Sequence, residues 1–136
     1  MAFNSFTVSV IKDWLLSWGM LLASVCFNAL GAIVIKSKMN EVGKIELQSF
    51  RETLDYGLVF LKSPVVVISL ILFFSAPFLF AVALSRLPLS IAYPVQVGLN
   101  FLLVLLLSFF FLSESMTAVK LGGIFLIMVG VIMLNK

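Results

Sequence analysis

The sequence predicts an all-α membrane protein: four transmembrane helices in an up-down bundle, with an amphipathic interfacial helix between the first and second. Three observations predict it. Of the 136 residues, 62% are hydrophobic and only 11% charged, and the mean hydropathy is +1.23, too few charges to coat a domain in water. Four apolar stretches approach the roughly 20 residues that a helix needs to cross a bilayer. Those stretches contain no Asp, Glu, Lys, Arg or His between Trp14 and Ile35, Pro64 and Ser85, Leu87 and Ser113, or Leu121 and Asn135. The whole chain reads as a single integral membrane domain, residues 1–136.

The first span is read at Trp14 to Lys36. Before it, Phe3, Phe6 and Val10 hint at a surface-seeking segment ahead of Lys12. The N-terminus lacks a basic region followed by a short apolar run and a small-residue cleavage site, so a cleaved signal peptide is not expected. Ser37 to Ser63 is a connector too long for a turn. Within it Ile45, Leu47, Phe50, Leu54, Leu58 and Leu61 recur mostly at spacings of three and four, with Glu46, Gln48, Arg51, Glu52 and Asp55 largely elsewhere. That pattern is an amphipathic helix over about residues 45–61, lying in the membrane interface or extending the second span into water.

The second span is read at Pro64 to Ser85, the third at Leu89 to Leu112 and the fourth at Ala118 to Leu134. Arg86-Leu87-Pro88 separates the second from the third, and Ser113 to Thr117 the third from the fourth. Connections this short predict antiparallel neighbours in a compact bundle. Nine Lys and Arg against six Asp and Glu give a formal charge of +3. They concentrate in loops and at helix ends, which reads as topology signals and headgroup contacts; nucleic acid is not an expected partner. Lys12, Arg86 and Lys136 fall on one side of the membrane, and Lys36, Lys38, Lys44, Arg51, Lys62 and Lys120 on the other. The larger group favours the cytoplasm, which leaves both termini outside.

The polar residues inside the spans are neutral. Ser17, Ser24, Asn28 and Gly31 are spaced seven, four and three apart on one face of the first span, and Tyr93, Gln96 and Asn100 follow the same rule in the third. They join helices by hydrogen bonds or line a polar groove for substrate. Pro94 lacks an N–H and frees the carbonyl four residues earlier, which predicts a kink. Gly123 and Gly130, one heptad apart, suit close helix approach, either within the chain or between copies. The run Phe109 to Phe111 reads as lipid-facing. A single Cys26 and no His leave no expected disulfide, metal site or cofactor. There is no Ser with a His, no paired carboxylates and no phosphate-binding glycine loop, so an enzyme is not expected.

Residues 83 to 134 resemble the last part of the four-helix members of the drug/metabolite transporter superfamily. The resemblance rests on Pro88-Leu89-Ser90-Ile91-Ala92-Tyr93-Pro94, Glu114 opening the last loop, and Gly123 followed by Gly130. Phe27 to Ser37 also matches the first helix, with Gly31 and Lys36 in register. That group includes the small multidrug resistance proteins and the small subunits that flip aminoarabinose-linked undecaprenyl phosphate. Two departures separate this chain from the former. Asn28 stands where those proteins carry a Glu eight residues before the Lys that here is Lys36, and Gln96 replaces an aromatic. The Ala-Tyr-Pro pattern and Asn100 are instead similar to the lipid flippase subunits. The resemblance implies a homodimer, or a heterodimer with a similar small protein, in the bacterial inner membrane. It also implies a lipid-linked sugar or similar amphiphile as substrate, with Ser24, Asn28, Tyr93, Gln96 and Asn100 lining the groove and Lys36, Lys38 and Arg86 at the headgroup rim. Efflux of cations or polyamines, and an accessory role beside a membrane glycosyltransferase or a paralogous partner, are the alternatives.

Overall fold

A computed structural model describes residues 2–43 and 50–134, and every described element is helical. In chain order the helices are α1 (Ala2–Val42), α2 (Phe50–Leu61), α3 (Pro64–Leu84), α4 (Leu89–Leu112) and α5 (Ala118–Leu134). Three helical segments are long and apolar enough to cross a membrane, Ser9–Val42, Pro64–Leu84 and Leu89–Leu112, the first with charged residues towards both of its ends. Helix α5 is also apolar but has 17 residues, about 26 Å at 1.5 Å per residue, just under the thickness of a hydrocarbon core.

Helix α1 is longer than its apolar stretch. No proline interrupts it, so the backbone is helical from Ala2, with no separate segment ahead of Lys12, and continues past Lys36 and Lys38 to Val42. It stops at Gly43, whose φ of +88° is a left-handed conformation that glycine adopts without steric penalty. The Gly43 N–H donates to the Met39 carbonyl at 3.0 Å. Of the expected connector helix, residues 45–49 lie outside the described residues, and the remainder forms α2. Leu54, Leu58 and Leu61 are exposed there, as is Asp55.

Prolines mark the starts of α3 and α4. Pro64 occupies the first turn of α3, where its missing N–H is no loss, and the Ser63 carbonyl accepts from Val66 and Val67. Extended Pro88 caps α4 in the same way, its carbonyl accepting from Ile91 and Ala92. The turn between α3 and α4 is closed by Arg86 and Leu87 N–H groups donating to the Ala83 carbonyl. At the far end of α4, Ser113 adopts φ 52° and returns its N–H to Ser108.

Helix α1 is the hub. Leu21 and Val25 of α1 pack with Ala83 of α3 and Ala92 of α4 in the buried cluster, surrounded by Trp18, Phe80, Val95 and Leu99. Helix α3 meets α1 most closely at Gly31: a methyl group there would lie 2.8 Å from the Ser69 carbonyl oxygen and 2.9 Å from Phe73 Cβ. Only a glycine lets the two backbones come this near. Helices α3 and α4, although joined by a four-residue turn, touch each other little, and α4 packs mainly on α1. Helix α5 leans on α4 alone and buries no residue. The two helices are close at Gly98, where a methyl would meet Val131 Cγ2 at 2.8 Å.

The outer surface is as apolar as the interior. Phe78, Phe110, Phe111 and Phe125 are all largely exposed, an arrangement unfavourable in water and natural in lipid.

Candidate functional site

The polar side chains of α1 and α4 meet along the seam between the two helices. Contacts fix how the two helices are aligned. Asp13 pairs with Arg86 just ahead of α4, Ser24 meets Gln96, and Val34 and Ser37 share a recess with Phe111. Residue numbers rise together on both helices, so α1 and α4 run parallel, with an offset of about 72 to 77 residues from one end to the other.

At the middle of this seam the Ser24 hydroxyl, fully buried, donates to the Leu21 carbonyl at 2.7 Å. Its oxygen accepts from Gln96 Nε2 at 3.4 Å. One turn further, Asn28 on α1 and Asn100 on α4 reach the same level, because each lies four residues beyond a member of the Ser24–Gln96 pair. Asn28 is half-buried and, among the described residues, its side chain has no hydrogen-bond partner. Asn100 Oδ1 is buried and unpartnered. A carboxamide oxygen shut away from water without a donor costs on the order of 1–3 kcal/mol, and a donor brought by a ligand would remove that penalty.

The other sequence-predicted residues fall elsewhere. Tyr93 is 57% exposed, and its ring rests against Phe80 of α3 with centroids 6.4 Å apart. It stands at the outer edge of the seam, one turn from Gln96 on the same helix. Pro94 lies inside α4, and α4 remains one helix through it. Gly123 and Gly130 have open space where a side chain would project, with nothing within 4 Å; they take no part in close packing within the chain. Lys36 is exposed on the last turns of α1.

Two ion pairs bracket the seam. Arg86 Nη1 contacts Asp13 Oδ1 at 2.5 Å and joins α1 to the α3–α4 turn. Lys38 pairs with Glu41, three residues on in the same helix. From Asp13 to Lys38 the helix rises about 38 Å, a spacing close to that between the two headgroup levels of a bilayer about 40–45 Å thick overall. Ser24 and Asn28 fall close to the midpoint. Each end has a recess: about 300 Å³ bounded by Asp13, Trp14, Ser17, Arg86 and Leu87, and about 180 Å³ bounded by Ile33, Val34, Ser37, Lys38, Glu41, Val65 and Phe111. Asp13 was invisible as a site residue in the sequence. Its only signal is a carboxylate at the edge of an apolar run, and its partner is 73 residues away.

No group of His, Cys, Asp and Glu that could hold a metal occurs among the described residues. The seam carries amides, hydroxyls and, at its ends, charges; it offers hydrogen bonds and no nucleophile–base pair.

Long apolar helices with outward-facing aromatics define an integral membrane protein. The model of the EamA-like transporter family matches residues 4–136. The chain belongs to that family, within the drug/metabolite transporter superfamily. No curated protein and no solved structure shows significant similarity to it.

Proposed function

We propose that this transporter moves a lipid-linked sugar or similar amphiphile with a hydroxylated or phosphorylated headgroup between membrane leaflets. The observation that carries the reading is the Ser24–Gln96 contact with Asn28 and Asn100 unpartnered one turn away. Four neutral hydrogen-bonding groups at mid-span suit sugar hydroxyls, which need donors and acceptors in a water-poor setting. Asn28 carries no charge, so an organic cation gains no carboxylate partner there. The helices traverse the membrane up and down, α2 lies in the interface, and the protein works in a bacterial inner membrane as a homodimer or with a similar small partner. A second copy would complete a path that four helices enclose poorly.

Native mass spectrometry of protein extracted gently with its lipids tests the substrate class. A retained polyprenyl or glycolipid mass that is lost in Asn28→Ala and Gln96→Ala supports the reading. Retention of ordinary phospholipids alone, together with pH-dependent binding of a quaternary cation, rejects it.

A further inference from the structure

The Asp13–Arg86 pair differs from the Lys38–Glu41 pair in one respect: it ties two separate parts of the fold together across a recess. Arg86 sits in the tight turn before α4, held by its N–H bond to Ala83. Its guanidinium side chain is about 39% exposed and the Asp13 carboxylate about 66%, so both remain within reach of lipid headgroups. Ser17 and the indole of Trp14 complete the wall, although the Ser17 hydroxyl already donates to the Asp13 carbonyl. At about 19 Å from the midpoint of the seam, this recess lies beyond the roughly 15 Å half-thickness of hydrocarbon, at the depth of lipid phosphates. A guanidinium fork fits phosphate oxygens as well as it fits a carboxylate. Two turns along the same face of α1 from Ser17 lies Ser24, so the recess and the polar seam share one face of α1.

We propose that the recess at Arg86 is a phosphate-recognition site for an anionic headgroup, and that Asp13 is its built-in competitor, holding Arg86 until a phosphate displaces it. The proposal deepens the headgroup role given to Arg86 above and rests on that reading. Displacing Asp13 also unties α1 from the α3–α4 turn, so headgroup docking and loosening of this end of the seam become one event. The exposed ion pair contributes little to stability, which makes exchange of one anion for another feasible without unfolding.

The test uses the full chain in phosphatidylcholine nanodiscs and measures association of spin-labelled phosphatidic acid relative to spin-labelled phosphatidylcholine, without any transport. Asp13→Asn should raise the selectivity for phosphatidic acid about two- to fivefold, the range that loss of one exposed ion-pair competitor supplies. Arg86→Gln should abolish it, and Arg86→Lys, which keeps the charge but not the fork, should retain part. Glu41→Gln adds the same positive charge overall and should leave selectivity unchanged. A purely structural ion pair predicts effects of the same sign for Asp13→Asn and Arg86→Gln. That result, or an equal rise in Glu41→Gln, overturns the proposal. Inorganic phosphate in the buffer separates the sources of the anion: competition points to a soluble phosphate as occupant, and no competition to a lipid. Because binding is read without transport, failure here leaves the mid-span seam to be judged by its own variants.

Discussion

Gln96 of α4 donates to the Ser24 hydroxyl of α1 at 3.4 Å while the Ser24 O–H itself donates to the Leu21 carbonyl. Ser24 therefore has no hydrogen left to give, and its oxygen is the acceptor that joins the two helices. A hydrogen bond between membrane helices contributes on average about 0.6 kcal/mol. Gln96→Ala should consequently lower unfolding stability in detergent by no more than about 1 kcal/mol. If Gln96 and Asn28 contact substrate, Gln96→Ala and Asn28→Ala should reduce transport by about tenfold or more, beyond what so small a stability change explains. Equal, proportionate losses of stability and transport would reduce the seam to helix packing.

The glycines separate by what surrounds them. At Gly31 a side chain meets backbone of α3, which cannot rotate away. Gly31→Ala is expected to destabilise by about 1–3 kcal/mol. At Gly98 the obstacle is a side-chain methyl of Val131 on α5, a helix that buries no residue and can shift as a body, and Gly98→Ala should cost less than Gly31→Ala. Thermal unfolding of the two variants in the same detergent ranks them, and the reverse order would refute the close α1–α3 crossing.

Gly123 and Gly130 face open space, so Gly123→Leu and Gly130→Leu should leave the melting temperature of the monomer within about 2 °C of the parent, as for surface substitutions. Their effect should appear only between copies, as a fall in cross-linked dimer in membranes. An unchanged dimer fraction would place the interface on another helix.

Helix α2 exposes Leu54, Leu58 and Asp55. With α2 on the membrane surface, spin labels at 54 and 58 should report lipid-soluble oxygen and a label at 55 a water-soluble relaxant. Water-like accessibility at all three positions would show the helix standing clear of the bilayer.

Proton coupling normally uses an ionisable group within the membrane, and residues 14–35, 64–85, 87–113 and 121–135 contain no Asp, Glu, Lys, Arg or His. Transport by reconstituted protein should lack a steep carboxylate-like titration between about pH 6 and pH 8.5, once ionisation of the substrate is subtracted. Asn28→Glu is expected to introduce one. Proton movement in strict proportion to substrate by the parent protein, or its loss in Glu114→Gln, would defeat this expectation.

The sequence by itself determined the class of protein and the limits of α3, α4 and α5. Hydropathy, proline and short polar turns act locally, and a bilayer demands a fixed length of apolar helix. It also placed Ser24 and Asn28 on one face of α1, since helical periodicity needs no neighbour. Only the tertiary structure decided the rest. That α4 packs on α1 and scarcely on α3 reverses what a four-residue turn suggests, because side-chain size at Gly31, Ala83 and Ala92 decides which helices approach. The parallel alignment of α1 with α4 brings Ser24 to Gln96 and Asp13 to Arg86, and turns Tyr93 out towards Phe80. Such pairings join residues some 70 positions apart, and periodicity along each helix gives its faces but not the axial offset between two helices. That offset is set by how the small residues of three helices fit together.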